Sequence, residues 1–175
     1  MKKVVTVFGS SLPVQGEPEY EYAYRLGALL AKCGFDVCNG GNSGIMEAVS
    51  KGALENGAYV TGISVNHFRA NSNKYLSELI VCDSLFERIT KLVNKGDAFV
   101  ILQGGTGTLL ELASVWEFMN KNLMEHKPVA CHSAMWNSIV FIMEKQIMRE
   151  KRETGLIKCF DTIDEIAGFI SSNLN

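Results

Sequence analysis

Apolar residues in this chain fall into short unbroken runs, and between the runs they recur at helical spacing. The runs are Val4–Phe8, Phe35–Cys38, Tyr59–Val65, Leu79–Cys82, Ala98–Leu102 and Val129–Cys131, with a possible short terminal strand at Ile157–Phe160. Each is rich in β-forming residues and bounded by glycine or polar residues. That pattern predicts strands covered on both faces. Helical periodicity predicts helices over Glu19–Lys32, Ile45–Glu55, Ser84–Lys95, Thr108–Asn120, Trp136–Arg149 and Ile163–Asn173. Gly34, Gly57 and Gly96 follow three of them as C-terminal stop signals. Ser84 and Glu87 have the spacing of a capping box. Strand and helix alternate throughout, which predicts an α/β fold: a mainly parallel sheet with helices on both faces. The stretch Asn66–Ser77, rich in Asn and Ser, reads as a surface loop in preference to a mobile flap over a site.

The 175 residues suit one domain, taken as 1–175. A net charge of −2 with scattered basic residues gives no general attraction to nucleic acid or to an anionic membrane. The apolar run after Lys2-Lys3 is too short for a signal peptide, and no segment reads as a membrane span. A cytoplasmic protein is expected. The five cysteines contain no CxxC pair and read as buried free thiols in a reducing compartment. His67, His126 and His132 lack metal-ligand spacing, so no structural metal is expected.

Three small-residue turns follow strands: Gly9-Ser10-Ser11, Gly40-Gly41-Asn42-Ser43-Gly44 and Gly104-Gly105-Thr106-Gly107-Thr108. Ligands of open α/β sheets bind outside the carboxyl ends of the strands. Glycines let the backbone approach an anion, and free N–H groups at a helix start favour negative charge. Neither a P-loop nor a GxGxxG dinucleotide fingerprint is present, because no Lys follows the glycines and Leu110 stands where the third glycine belongs. A single phosphate is the simplest fit. Thr108 and Glu111 share a face at the start of a helix. By spacing alone, Glu111 either complements the helix dipole or faces the ligand. Arg88, Lys91 and Lys95 form a cationic stripe whose plain reading is a solvated face.

Residues Gln103 to Glu111 resemble the PGGxGTxxE pattern of the LOG (Lonely Guy) family, often labelled lysine decarboxylase. Leu85-Phe86-Glu87-Arg88-Ile89 is similar to the family's MxxRK segment. The turns at Gly9 and Gly40 and the strand start Lys127-Pro128-Val129 extend the likeness over nearly the whole chain. The resemblance implies a Rossmann-like three-layer domain forming homodimers or larger oligomers and needing no redox cofactor. It implies hydrolysis of nucleoside 5′-monophosphates, AMP or cytokinin riboside 5′-monophosphates, to free base and ribose 5-phosphate. Arg88 and Glu111 take the family's catalytic positions. Gly104, Gly105, Thr106, Gly107 and Thr108 take its phosphate loop, with Ser10, Ser11 and Asn42 as further nucleotide contacts. Three positions depart from the pattern: Gln103 replaces proline, Leu85 replaces methionine, and Ile89 replaces the lysine after the arginine. Decarboxylation would need pyridoxal phosphate on a Schiff-base lysine, and no lysine has such a setting. The rivals are a non-catalytic nucleotide-binding or sensing protein of the same fold and a nucleosidase with no cytokinin role. A dimer is expected from the apolar residues Trp116, Phe118 and Met119 on one helix.

Overall fold

A computed structural model describes residues 2–66 and 72–174. The elements are β1 (Val4–Phe8), α1 (Pro18–Lys32), β2 (Asp36–Asn39), α2 (Ile45–Glu55), β3 (Val60–Val65), β4 (Glu78–Cys82), α3 (Leu85–Lys95), β5 (Ala98–Ile101), α4 (Thr106–Asn120), β6 (Val129–His132), α5 (Ser133–Arg149), β7 (Ile157–Phe160) and α6 (Ile163–Leu174). The strands form one sheet in the order β4-β3-β2-β1-β5-β6-β7. Every neighbouring pair is parallel. The predicted parallel α/β architecture is therefore the observed one, and the terminal strand at Ile157–Phe160 forms.

Each apolar run hides a period of two, because both faces are covered. Val5, Val7, Ala98, Val100 and Leu102 pack with α1, α2 and α6. Phe8, Phe99 and Ile101 pack on the other face with α3, α4 and α5. The Phe8 and Phe99 rings stack at 6.2 Å across the β1–β5 pair. Burying large side chains on both sheet faces contributes about 2 kcal/mol each before the entropy cost.

The chain runs outward from β1 to β4, then returns to lay β5 on the other side of β1. The carboxyl ends of β1 and β5 therefore flank the switch point where such sheets bind ligands. Of the loop expected over Asn66–Ser77, residues 67–71, His67 among them, lie outside the described residues. Its later part is held from within. Asn73 donates from its backbone N to the Gly41 carbonyl (2.8 Å) and from Nδ2 to the Asn42 carbonyl (2.9 Å). The loop end thus braces the second glycine turn. All five cysteines are free thiols; Cys38, Cys82 and Cys131 are buried, but Cys33 and Cys159 are partly exposed, because they lie at a helix end and on the edge strand β7. Among the described residues, no helix is long and apolar enough to cross a membrane.

Candidate functional site

The three glycine turns meet through Ser10. Its N–H donates to the Gln103 carbonyl (2.8 Å), and its carbonyl accepts from Ile45 N–H (2.8 Å). The first, second and third turns are thereby locked together above the sheet. Between them opens a cavity of about 500 Å³. Ser10, Ser11, Asn42, Arg88, Gly105, Thr106, Gly107, Thr108 and Glu111 all line it. Gly104 does not. It lines a recess on the other side of the turn, and an added Cβ there would come within 2.1 Å of Thr108 Oγ1 and 3.1 Å of Ser10 N. Close packing demands glycine there.

Helix α4 begins at Thr106, two residues before the predicted start, with Gly105 as an N-cap that supplies no side-chain acceptor. The first-turn N–H groups lack intrahelical partners. They open onto the cavity beside Gly105 and Gly107, where an added Cβ would meet nothing within 4 Å. The positive end of the helix dipole favours an anion at this point.

Arg88 and Glu111 come from α3 and α4 and form a buried ion pair, Arg88 Nη1 to Glu111 Oε1 at 3.1 Å. Arg88 is 9% exposed and Glu111 7%. The Ser84 cap helps place α3: Ser84 Oγ accepts from Glu87 N–H, and the Glu87 carboxylate accepts from Asp83 N–H. Arg88 Nε donates to the Ile63 carbonyl on β3 at 2.9 Å. The solvated-stripe reading of Arg88 is thus overturned. Lys91 pairs with Glu87 at the surface, whereas Arg88 turns inward with its charge met by a carboxylate and a carbonyl. Gly40 makes the space, since an added Cβ would stand 2.1 Å from Arg88 Nη2. Burial pushes the Glu111 carboxyl up from its ordinary 4.5 to about 7, and the Arg88 guanidinium opposes that rise. Glu111 lies in the second turn of α4, past the reach of a simple dipole role. It is poised to ionise near neutrality, on the wall of the cavity onto which the N-terminus of α4 opens.

The residue signals missed Gly9, Leu12, Ser43 and Met46, which complete the lining. All four belong to or adjoin the first two glycine turns, so the turns themselves carried the signal. Asn42 has a buried Oδ1 with no hydrogen-bond partner among the described residues. Ile89 is buried in the core and adds no charge to the cavity. A second groove of about 520 Å³ lies between α4 and α5, lined largely by Leu109, Leu112, Ala113, Trp116, Ile139 and Met143. It has none of the glycine turns. Among the described residues, no group of three or more His, Cys, Asp or Glu could hold a metal ion.

Known proteins resemble this chain in sequence and in fold. A cytokinin riboside 5′-monophosphate phosphoribohydrolase of Mycobacterium tuberculosis is 34% identical over 115 residues, 64% of this chain and 61% of that one. The chain spans 60–64% of the length of the first curated relatives that it matches. The crystal structure of TM1055, a structural genomics target, superposes with a TM-score of 0.77 at 28% identity, over 97% of this chain and 99% of that one. A molybdenum cofactor binding protein from Rippkaea orientalis shares the fold with a TM-score of 0.77 at 24% identity, over 100% of this chain and 99% of the other. The SLOG cluster4 family (LDcluster4) matches residues 2–161. With the glycine turns and the Arg88–Glu111 pair in the arrangement described, the chain belongs to the SLOG cluster4 family of LOG-type proteins.

Proposed function

We propose that the protein hydrolyses the N-glycosidic bond of nucleoside 5′-monophosphates, releasing the free base and ribose 5-phosphate. The observation that carries this reading is the buried Arg88–Glu111 pair on the wall of the same cavity as the open N-terminus of α4. The 5′-phosphate sits on the N–H groups and hydroxyls of Gly105–Thr108, with Ser10 and Ser11 opposite. That contact fixes C1′ against the carboxylate. As the C1′–N bond breaks, its electron pair leaves with the base and the sugar becomes oxocarbenium-like. Ionised Glu111 stabilises that charge and takes a proton from the water that bonds to C1′, while the departing base takes up a proton from solvent. Arg88 holds the carboxylate in place. The naming of several relatives supports cytokinin riboside 5′-monophosphates as the substrates to test first, with AMP beside them as the unmodified nucleotide. A free nucleotide substrate and free thiols suit a protein of the reducing cytoplasm.

A second reading, non-catalytic binding of a phosphorylated ligand, is favoured by Ile89, which puts a buried apolar residue where the LOG pattern has lysine. The Rippkaea orientalis neighbour, named for binding the molybdenum cofactor, shows that this fold also serves a binding protein. Incubation with AMP, other nucleoside monophosphates and isopentenyladenosine monophosphate separates the two. Release of free base that vanishes in folded Glu111→Gln and Arg88→Ala proteins supports the hydrolase. Binding without turnover in the wild type supports the carrier or sensor.

A further inference from the structure

The nucleotide cavity has a neighbour. A recess of about 520 Å³ adjoins it on the far side of the third glycine turn, lined by Pro13, Glu17, Glu19, Gln103, Gly104, Ala134 and Met135. Both spaces share Ser10 and Leu12 as walls, and the turn itself passes from Gly104 in one to Gly105 in the other. Leu12 is 83% exposed, and its N–H is tied to Ser10 Oγ at 3.1 Å, which holds it between them. The recess matches the nucleotide cavity in volume and is the more open of the two to solvent. The two meet at the phosphate end of the nucleotide cavity, by the start of α4.

The recess has its own chemistry. Leu12, Pro13 and Met135 offer apolar surface. The Gln103 carboxamide and the Glu19 carboxylate make no hydrogen bond or ion pair among the described residues, although both residues are half-buried. Such a wall fits a flat apolar group edged with hydroxyl or amine donors. It does not fit a second phosphate: Glu17 and Glu19 line the space, and among the described residues no Lys or Arg does. Gln103 matters here because it stands where the LOG pattern has proline, and proline has no side-chain amide to offer.

We propose that the preferred ligand is a phosphodiester of the dinucleoside monophosphate class. One nucleoside 5′-phosphate occupies the nucleotide cavity, its single bridging phosphate sits at the start of α4, and a second nucleoside fills the recess. The proposal rests on the reading that the main cavity takes a nucleoside 5′-phosphate.

Calorimetric titration compares AMP with adenylyl-adenosine, two adenosines joined by one 3′–5′ phosphodiester. The wild-type protein is used, with folded Glu111→Gln as a second background in which hydrolysis is blocked. Adenylyl-adenosine binds about tenfold tighter than AMP, through contacts in the recess. Gln103→Pro, Glu19→Ala and the recess-filling Met135→Trp each remove that advantage while AMP affinity stays. Equal or weaker binding of adenylyl-adenosine overturns the proposal and leaves the nucleotide site standing. So does an advantage that survives all three substitutions. If AMP binds without being hydrolysed, the hydrolase reading falls and the recess proposal is still decided by the affinity ratio. If neither ligand binds, both readings fall.

Discussion

Glu111 is held at an energetic cost. A carboxyl whose folded pKa is raised adds its full share to stability only below its unfolded value, and that share is lost as pH rises through the folded value. Here the window runs from 4.5 to about 7. At ~1.4 kcal/mol per pH unit, the loss across it is about 3 kcal/mol. Thermal melts of the unliganded protein are expected to fall across that window, and Glu111→Gln is expected to flatten the fall. Activity is expected to run the opposite way. An ionised Glu111 is required, so kcat/KM for AMP rises with pH through an apparent pKa near 7. A flat profile between pH 5 and 8 in the wild type would reject the carboxylate's role. Gly40 gives a second residue-scale prediction. Its added Cβ would meet only Arg88 Nη2 at 2.1 Å and Met46 Sδ at 2.7 Å among its closest atoms. Both belong to buried side chains, and Arg88 is fixed by Glu111 and the Ile63 carbonyl, so the added methyl disrupts a buried ion pair. Gly40→Ala is therefore expected to melt below the wild type and, in the protein that stays folded, to lose about 100-fold in kcat/KM because Arg88 is displaced. Circular dichroism melts beside steady-state kinetics check both losses.

At the scale of elements, the helix starts position the chemistry. Ser84→Ala removes the cap of α3 and is expected to lower stability by about 1 kcal/mol, read from a denaturant midpoint at unchanged slope. The capping box was legible because its two members lie three residues apart in sequence and bond locally. The start of α4 was not. Thr106 and Gly107 read as loop because glycine disfavours a helix interior, yet in a first turn whose N–H groups have no partners that penalty is small. Strand positions and parallel architecture were legible because each run is covered on both faces. Arg88 was misread in its stripe because helical spacing shows which residues share a face, not which face is buried. Its partners, Glu111 on α4 and the Ile63 carbonyl on β3, lie 23 and 25 residues away. The turns at Gly9, Gly40 and Gly104 were each legible alone, but their meeting through Ser10 required the sheet order.

For the whole molecule, the open question is what covers the outer side of α4 and α5. Of Trp116, Phe118 and Met119, which suggested a dimer, Met119 is buried and Phe118 partly buried against the chain's own core, and Trp116 reaches the surface only in the lining of the α4–α5 groove. More exposed residues surround it. Leu109 and Leu110 on α4 and Ile142 and Met143 on α5 are exposed apolar side chains, and Leu109 and Met143 border the α4–α5 groove. Trp116 Nε1 and Asn120 Oδ1, on residues that line the groove, are buried without partners among the described residues. A face with so much apolar surface is costly to leave in water. We propose that a second copy of the chain covers it, making the protein a homodimer. Light scattering at micromolar concentration is expected to show the dimer, and Leu109→Lys with Met143→Lys is expected to shift it to monomer. Helix α4 presents Thr108 and Glu111 to the cavity, and Leu109 and Ala113 to the groove. Loss of the partner frees one side of the helix that carries the carboxylate. The monomeric variant is therefore expected to bind AMP but turn it over more slowly, with kcat falling more than KM changes. A wild-type monomer at micromolar concentration would reject the dimer, and a monomeric variant with full kcat would show that the cavity works without it.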